Sequence, residues 1–302
     1  MRKSSLMCVA AAAALAVPAA ASAADVQTGV DAATSHTAKA DSALTHALTL
    51  FKGGDVTRGT AAFTASRKEM GLARSAAAQA RHAARTAADR ALAADAQADV
   101  AGQQDTNIVK LATLLPRTHG TVQNQVAQAA LADTKGRDKA LAVLAAVALT
   151  APAQAQSGLA HAVQALSTDR SSEITADAKA LVSDAVTPSN KQTLAAAVKP
   201  DVSGQTTAAD KLKELLGAAS TPDAAKPGLA KAYDAVTTEH GTLADILSRF
   251  SDRMPASVRS FVTSIVTNAR TDARTMHNDR PAPPTATTPP TAPSHPTGKP
   301  VS

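Results

Sequence analysis

A seven-residue spacing of small and apolar side chains is the feature that most restricts what this chain can fold into. Between residues 26 and 51 the steps alternate between four and three, at Val26, Val30, Ala33, Thr37, Ala40, Leu44, Ala47 and Phe51. This rhythm keeps one seam of an α-helix facing a partner along its whole length. The segment therefore predicts a long helix that packs lengthwise against another helix.

The same spacing resumes after a short interruption. The pair Gly53-Gly54 is expected to end the first helix, and Asp55 is expected to cap the next one. Apolar side chains and then alanines recur every seven residues from there to Ala101, which predicts one rod about 70 Å long at ~1.5 Å per residue. Because alanine is so common in this chain, only the larger members of the repeat are informative: Val56, Phe63 and Met70.

Beyond Gly102 the periodic segments become shorter. Asp105 is expected to cap a new helix, and no segment shows the alternation that is typical of a strand. The expected helices are 108–115, 120–134, 137–151, 155–167, 172–186, 189–199, 207–217, 222–239, 242–252 and 256–277.

Composition decides how these helices can pack. Alanine accounts for 74 of the 302 residues, and the chain has four Phe, one Tyr and no Trp. Alanine is the best helix former, and its small side chain lets helices approach closely around a thin core. We therefore expect an all-α fold, an elongated antiparallel bundle of alanine-rich helices over residues 25–277. A single bundle and two sub-bundles that divide near Pro152 are both consistent with the sequence.

The N-terminus has the pattern of a cleavable export signal. Arg2 and Lys3 precede an apolar run, and small residues with the Ala-x-Ala spacing end at Ala23. We expect residues 1–24 to be removed and the protein to be periplasmic, cell-wall associated or extracellular. Cys8 is the only cysteine, so the exported chain would contain no disulfide and no cysteine nucleophile.

The C-terminal segment, residues 278–302, differs sharply in composition. Its last 22 residues hold eight prolines and five threonines. Proline cannot continue a helix, so a disordered, extended Pro/Thr-rich tail is expected. A spacer through the cell wall and a tail without a specific role are both consistent with this composition.

A basic stripe is predicted on the second helix. Arg67, Arg74 and Arg81 recur every seven residues, and Lys68 and Arg85 lie close to them. Their functional interpretation is a docking face for an anionic envelope polymer or a membrane surface. The alternative is a solvated face whose arginines pair with acids on a neighbouring helix.

No motif indicates catalysis, a cofactor or a metal. The histidines are scattered without the i, i+3 or i+4 spacing that a helical metal site needs, and exposed positions are expected for them. The sequence contains no Gly-x-Ser-x-Gly, no Ser-x-x-Lys and no phosphate-binding glycine loop. We therefore expect no catalytic, cofactor-binding or metal-binding residues.

These observations favour an exported, non-enzymatic helical protein that acts by interaction, associated with the cell envelope through its basic helix face. Self-association through the helices is a second expected contact. Nucleic acid is not an expected partner, because the chain lacks the aromatic side chains on which bases stack. The alternatives are a periplasmic or secreted module that binds a small ligand or metal, and an undetected hydrolase.

Overall fold

The structure is a computed structural model that describes residues 19–168 and 170–280. Among these, the burial of side chains is described from residue 23 onward, except at positions 153, 154 and 201. The described residues form α-helices joined by short turns, which confirms the predicted all-α bundle. The predicted export signal up to residue 18 and the predicted tail from residue 281 lie outside the described residues. The helices are α1 (Ala19–Lys52), α2 (Val56–Ala83), α3 (Ala87–Leu114), α4 (Gly120–Thr150), α5 (Ala153–Ser167), α6 (Ser171–Val182), α7 (Pro188–Gly217), α8 (Lys226–Ser251) and α9 (Ala256–Asn278).

The first two helices pack lengthwise against each other as a hairpin. α1 has 34 residues and is about 51 Å long at ~1.5 Å per residue. Gly54 has a φ of 82°, and the Asp55 side chain accepts a hydrogen bond from the Arg58 N–H at 3.0 Å, so both the expected stop and the expected cap are confirmed. The seam of α1 is buried at Val26, Ala33, Ala40, Leu44, Ala47 and Phe51.

The predicted rod from Asp55 to Ala101 is wrong, because the chain turns between α2 and α3. Thr86 and Asp89 form a capping box: the Asp89 N–H donates to Thr86 Oγ1 at 3.1 Å, and the Thr86 N–H donates to Asp89 Oδ2 at 3.0 Å. This box satisfies two backbone donors that a new helix would otherwise leave unpaired. The alanine repeat on both sides of the turn concealed this start signal.

Later helices are longer than predicted. α3 continues through Gly102 and Asp105, α4 spans both segments expected between 120 and 151, and α7 runs across Pro200. The segments expected at 222–239 and 242–252 likewise form the single helix α8. An isolated glycine costs a helix only about 1 kcal/mol relative to alanine, which tertiary packing can offset.

Buried leucines and valines supply most of the core volume. The largest cluster includes Leu111, Leu114, Leu181, Leu194, Leu247 and Val258. The next cluster includes Leu141, Leu144, Leu159, Leu212, Leu229 and Val236. Pro152 lies between α4 and α5, and residues from both sides of it contribute to each of these clusters.

Two glycines allow helix backbones to approach closely. A Cβ placed on Gly204 of α7 would lie 2.5 Å from Asp138 Cβ and 3.0 Å from Asp138 Cα of α4. A Cβ on Gly29 of α1 would lie 2.9 Å from Ala80 Cβ of α2. Neither neighbour is the movable end of a long side chain, so these contacts require glycine.

Gly204→Ala is expected to lower the free energy of unfolding by about 1–3 kcal/mol, because the added methyl group forces α7 away from α4. Gly241→Ala is the matched control: Gly241 also lies inside a helix, and a Cβ there would meet nothing within 4 Å. The control is expected to raise stability by about 0.5–1 kcal/mol, since alanine restricts the unfolded chain. Urea unfolding followed by circular dichroism measures both changes, and equal effects of the two variants would contradict the close-packing argument.

Candidate functional site

The residues of the predicted basic stripe fall into two groups that differ in their contacts. Arg67 is only partly exposed and donates to both carboxylate oxygens of the buried Asp133 of α4, at 2.6 and 2.8 Å. Arg74, one heptad later, has its Nη1 3.9 Å from the same carboxylate. These two arginines therefore follow the structural alternative, in which the stripe pairs with an acid of a neighbouring helix.

The other three residues of the stripe lie at the surface of the bundle. Lys68 and Arg85 are exposed and Arg81 is partly exposed, and within the described part of the chain none of the three has an ion-pair partner. Three of the five predicted cations thus remain available to an external anion. Whether they bind one stays a prediction.

A pocket of about 200 Å³ opens beside this part of α2. Arg74 and Arg81 of α2 line it together with Gln97 and Gln104 of α3 and Lys139 of α4. Small and apolar side chains complete the wall, at Ala77, Ala78, Val100, Gly136, Ala140 and Val143. The pocket lining contains three cationic side chains and no carboxylate, so its chemistry favours an anionic group.

One buried carboxylate, that of Asp133, lies close to the pocket residue Arg74 but does not line the pocket. Asp133 carries one negative charge but lies between Arg67, which holds it with two hydrogen bonds, and Arg74. Burial lowers the pKa of the Arg74 guanidinium; Asp133 acts against this shift, and Arg67 adds to it. A bound anion would relieve the unfavourable burial of this guanidinium.

Lys139, Gln97 and Gln104 were not found from the sequence. They come from helices that the chain reaches only after further turns, and no spacing relates them to the stripe. The one signal in the sequence was the seven-residue spacing of Arg74 and Arg81 on α2, and both of these side chains line the pocket.

A second set of charged side chains lies mostly buried within the bundle, with Asp105 partly exposed at its edge. Arg137 of α4 forms ion pairs with Glu173 of α6, with Asp138 at 3.2 Å and with Asp105 of α3 at 2.8 Å. Arg170, directly before α6, is within 3.8 Å of Asp138 and 3.6 Å of Glu173. Arg137 and Arg170 are among the largest fully buried side chains. We call these five residues and the adjacent Asp177 the buried charge cluster.

Acids outnumber bases in this cluster, since four carboxyl groups share two guanidinium groups. Burial raises the pKa of Asp138 and raises that of Asp177 well above its ordinary value. Burial and the nearby Glu173 raise the pKa of Asp105 to about 7. The cluster joins α3, α4 and α6 but lines no pocket described above, so its geometry supports a structural role.

Asp105 was expected to cap a helix, and this expectation is wrong. It lies within α3 and its carboxylate binds Arg137. The buried charge cluster was not predicted, because its members come from helices that are far apart in the sequence. A charged residue in an alanine-rich helix usually indicates a solvated face, so nothing in the sequence indicated burial.

The expectation of exposed histidines fails at His240. This side chain is fully buried, its Nδ1 lies 2.8 Å from Gln205 Oε1, and its Nε2 lies 3.8 Å from Asp272 Oδ2. Burial lowers its pKa to about 4, so it is neutral at physiological pH. Across residues 19–168 and 170–280, no three His, Cys, Asp or Glu side chains are grouped in a way that could hold a metal ion.

Neither the models of known protein families nor the sequences of curated proteins match this chain. None of the described helices combines the length and apolar character that crossing a membrane requires.

Arg137→Met is expected to lower the free energy of unfolding by about 3–5 kcal/mol, because it leaves buried carboxylates without their guanidinium partner. Arg270→Met is the control: Arg270 is exposed and pairs with the exposed Asp245 at 3.1 Å. Loss of a surface pair is expected to cost less than about 1 kcal/mol. Urea unfolding measures both, and a small effect at Arg137 would contradict its structural role.

The Asp105 carboxyl is also expected to contribute stability that is lost as the pH rises from 5 to 8, whereas His240, whose pKa is lowered by burial, contributes in the opposite direction. The ordinary pKa of an Asp is 3.8, whereas the folded protein holds the Asp105 proton until about pH 7. At Asp105 the folded state therefore binds more protons than the unfolded state between these values, and raising the pH removes the contribution of this group. The difference in the free energy of unfolding between Asp105→Asn and the unmodified protein should accordingly shift in favour of the variant as the pH rises, as measured by urea unfolding at four pH values. The exposed carboxyl variant Asp223→Asn serves as control, and an unchanged slope in Asp105→Asn would exclude this explanation.

Proposed function

We propose that this protein is exported and acts without catalysis, by binding an anionic component of the cell envelope through the cations of α2 and the adjoining part of α4. The observation that carries the proposal is the pocket that Arg74, Arg81 and Lys139 line without any carboxylate. Lys68 on α2 and Arg85 in the turn directly after α2 extend the same positive charge. Cations without an ion-pair partner among the described residues, here Lys68, Arg81 and Arg85, attract a repeating anion through the summed field of their charges.

The export pattern at the N-terminus supports the envelope as the location of the partner. Arg2 and Lys3, the apolar run and the Ala-x-Ala spacing at Ala23 together have the order of a secretory signal. The formal net charge is +6, and removal of Arg2 and Lys3 would leave +4. A mildly basic exported protein would meet anionic phospholipids and anionic wall polymers.

A second candidate function is the binding of a small ligand by a soluble exported module. A groove of about 470 Å³ lies between α7 and α9, and Lys199, Ser203 and Phe261 are among its lining residues. Its volume falls within the ~300–1,000 Å³ of small-molecule sites. Phe261 is 40% exposed, which is unusual for so large an apolar side chain in this protein. A ligand for this groove would raise the melting temperature without depending on salt.

Binding to anionic surfaces is expected to be strong at low salt and weak at high salt. The purified protein is sedimented with cell walls, with phosphatidylglycerol vesicles and with neutral phosphatidylcholine vesicles. Attraction between exposed charges is screened over about 10 Å at 0.1 M salt. The triple variant Lys68→Gln, Arg81→Gln, Arg85→Gln should reduce the fraction that sediments with anionic material.

The matched control removes three exposed cations from α8 and α9, with Lys231→Gln, Arg249→Gln and Arg274→Gln. Both triple variants have the same net charge, so only the position of the lost charges differs. An equal reduction in the two would show attraction by net charge alone. Failure of the unmodified protein to sediment at low salt would eliminate the envelope proposal and favour the groove between α7 and α9.

A further inference from the structure

The pocket between α2, α3 and α4 has the charge distribution of a site for one compact anion. Two guanidinium groups from α2 and one ammonium group from α4 border a volume of about 200 Å³. The volume is below the ~300–1,000 Å³ of sites that enclose a whole drug-sized ligand. The pocket therefore suits a single ionic group whose remaining chemical parts lie outside.

A buried neutral donor adds to these charges. Gln104 lines the pocket and is 1% exposed, and its Nε2 has no hydrogen-bond partner. An unpaired buried donor costs about 1–3 kcal/mol, so the folded protein gains when an acceptor reaches it. An oxyanion in the pocket would supply that acceptor.

Gly136 determines where this amide lies. A Cβ at Gly136 would be 2.2 Å from Gln104 Nε2 and 2.9 Å from its Cδ, so the amide occupies the space that any other residue would fill. Gly136 itself lines the same pocket. Because Gly136 has no side chain, the Gln104 amide can lie directly against α4 at the wall of the cationic pocket.

We propose that this pocket binds a phosphate group, with Arg74, Arg81 and Lys139 supplying positive charge and Gln104 supplying a neutral donor. A guanidinium presents a planar fork of donors that matches phosphate oxygens, and an ammonium acts as a compact charge beside it. Phosphate offers enough acceptor oxygens for several donors that approach from different helices. The inference rests on the proposed envelope association and specifies the chemical group that would be recognised.

Inorganic phosphate is the first probe, titrated at constant ionic strength with chloride as the balancing ion. The glutamine side-chain amide signals in ¹H–¹⁵N NMR spectra of the purified protein report both the affinity and the location. The Gln104 signal, assigned with Gln104→Ala, is expected to shift and saturate. Lys139→Gln should weaken phosphate binding by about tenfold, the loss expected from one charge-assisted contact.

Lys231→Gln is the charge-matched control, because Lys231 is exposed on α8, outside the pocket lining. Its phosphate affinity should remain within about twofold of the unmodified protein. If Lys139→Gln and Lys231→Gln weaken binding equally, or if phosphate shifts no Gln104 signal, the phosphate site is overturned. Circular dichroism of both variants confirms that the helices are retained.

Gly136→Ala tests the amide without removing any charge. The added methyl group should displace the Gln104 amide and weaken phosphate binding several-fold, and the displaced atoms belong to a flexible side chain, so folding should persist. Gly71→Ala is the control on α2, where a Cβ would meet nothing within 4 Å. Equal phosphate affinity in both glycine variants would remove Gln104 from the site.

Two further titrations separate the sources of the phosphate group from the proposed function itself. Soluble polyglycerol phosphate represents a wall polymer, and phosphatidylglycerol vesicles represent a lipid surface. Competition by inorganic phosphate against either one identifies the source and supports the site. If the protein binds phosphate but does not associate with the envelope, the phosphate site is supported and the proposed function is excluded. If the protein associates with the envelope, binds no free phosphate, and shows no competition by phosphate, the pocket is not a phosphate site.

Discussion

Close contact between helix backbones is the constraint on which the rest of this bundle depends. Gly204 brings α7 against the backbone of α4 at Asp138, and Gly29 brings α1 against α2 at Ala80. Small residues at these crossings leave little room for large apolar side chains between the helices. The core must therefore gain its stability from many short contacts along long helices, together with leucine-rich clusters where the helices diverge.

This packing also explains why charged side chains are buried. Arg137 and Arg170 occupy positions that a bundle richer in large aliphatic residues would fill with leucine or methionine. Their ion pairs with Asp138 and Glu173 fix the relative placement of α4 and α6. Because a buried ion pair tolerates fewer arrangements than an apolar contact, it can specify one registry among the many that alanine surfaces permit.

The sequence predicted the parts of the fold that depend on neighbouring residues. The seam of α1, the glycine stop at Gly54 and the Asp55 cap all follow from local spacing and are confirmed. The rod through Thr86 was wrong because an alanine heptad carries almost no information, so a two-residue capping signal within it was overlooked. The stripe correctly brought Arg74 and Arg81 into one region, but Asp133, Lys139 and Gln104 reach it from α3 and α4. Contacts between helices this distant in sequence leave no periodic trace in a single chain.

The position of the first helix has a consequence for the predicted maturation of the protein. α1 begins at Ala19 and is continuous through Ala24, the last residue of the segment whose removal is predicted. Cleavage there would turn the interior of a helix into its first turn and would create a new ammonium group at the positive end of the helix macrodipole. Asp25 would then stand within that first turn, where a carboxylate interacts favourably with both the dipole and the new terminus. Val26, which is fully buried, would anchor the shortened end. The residues next to the predicted cut thus suit a helix N-terminus that the precursor does not yet have.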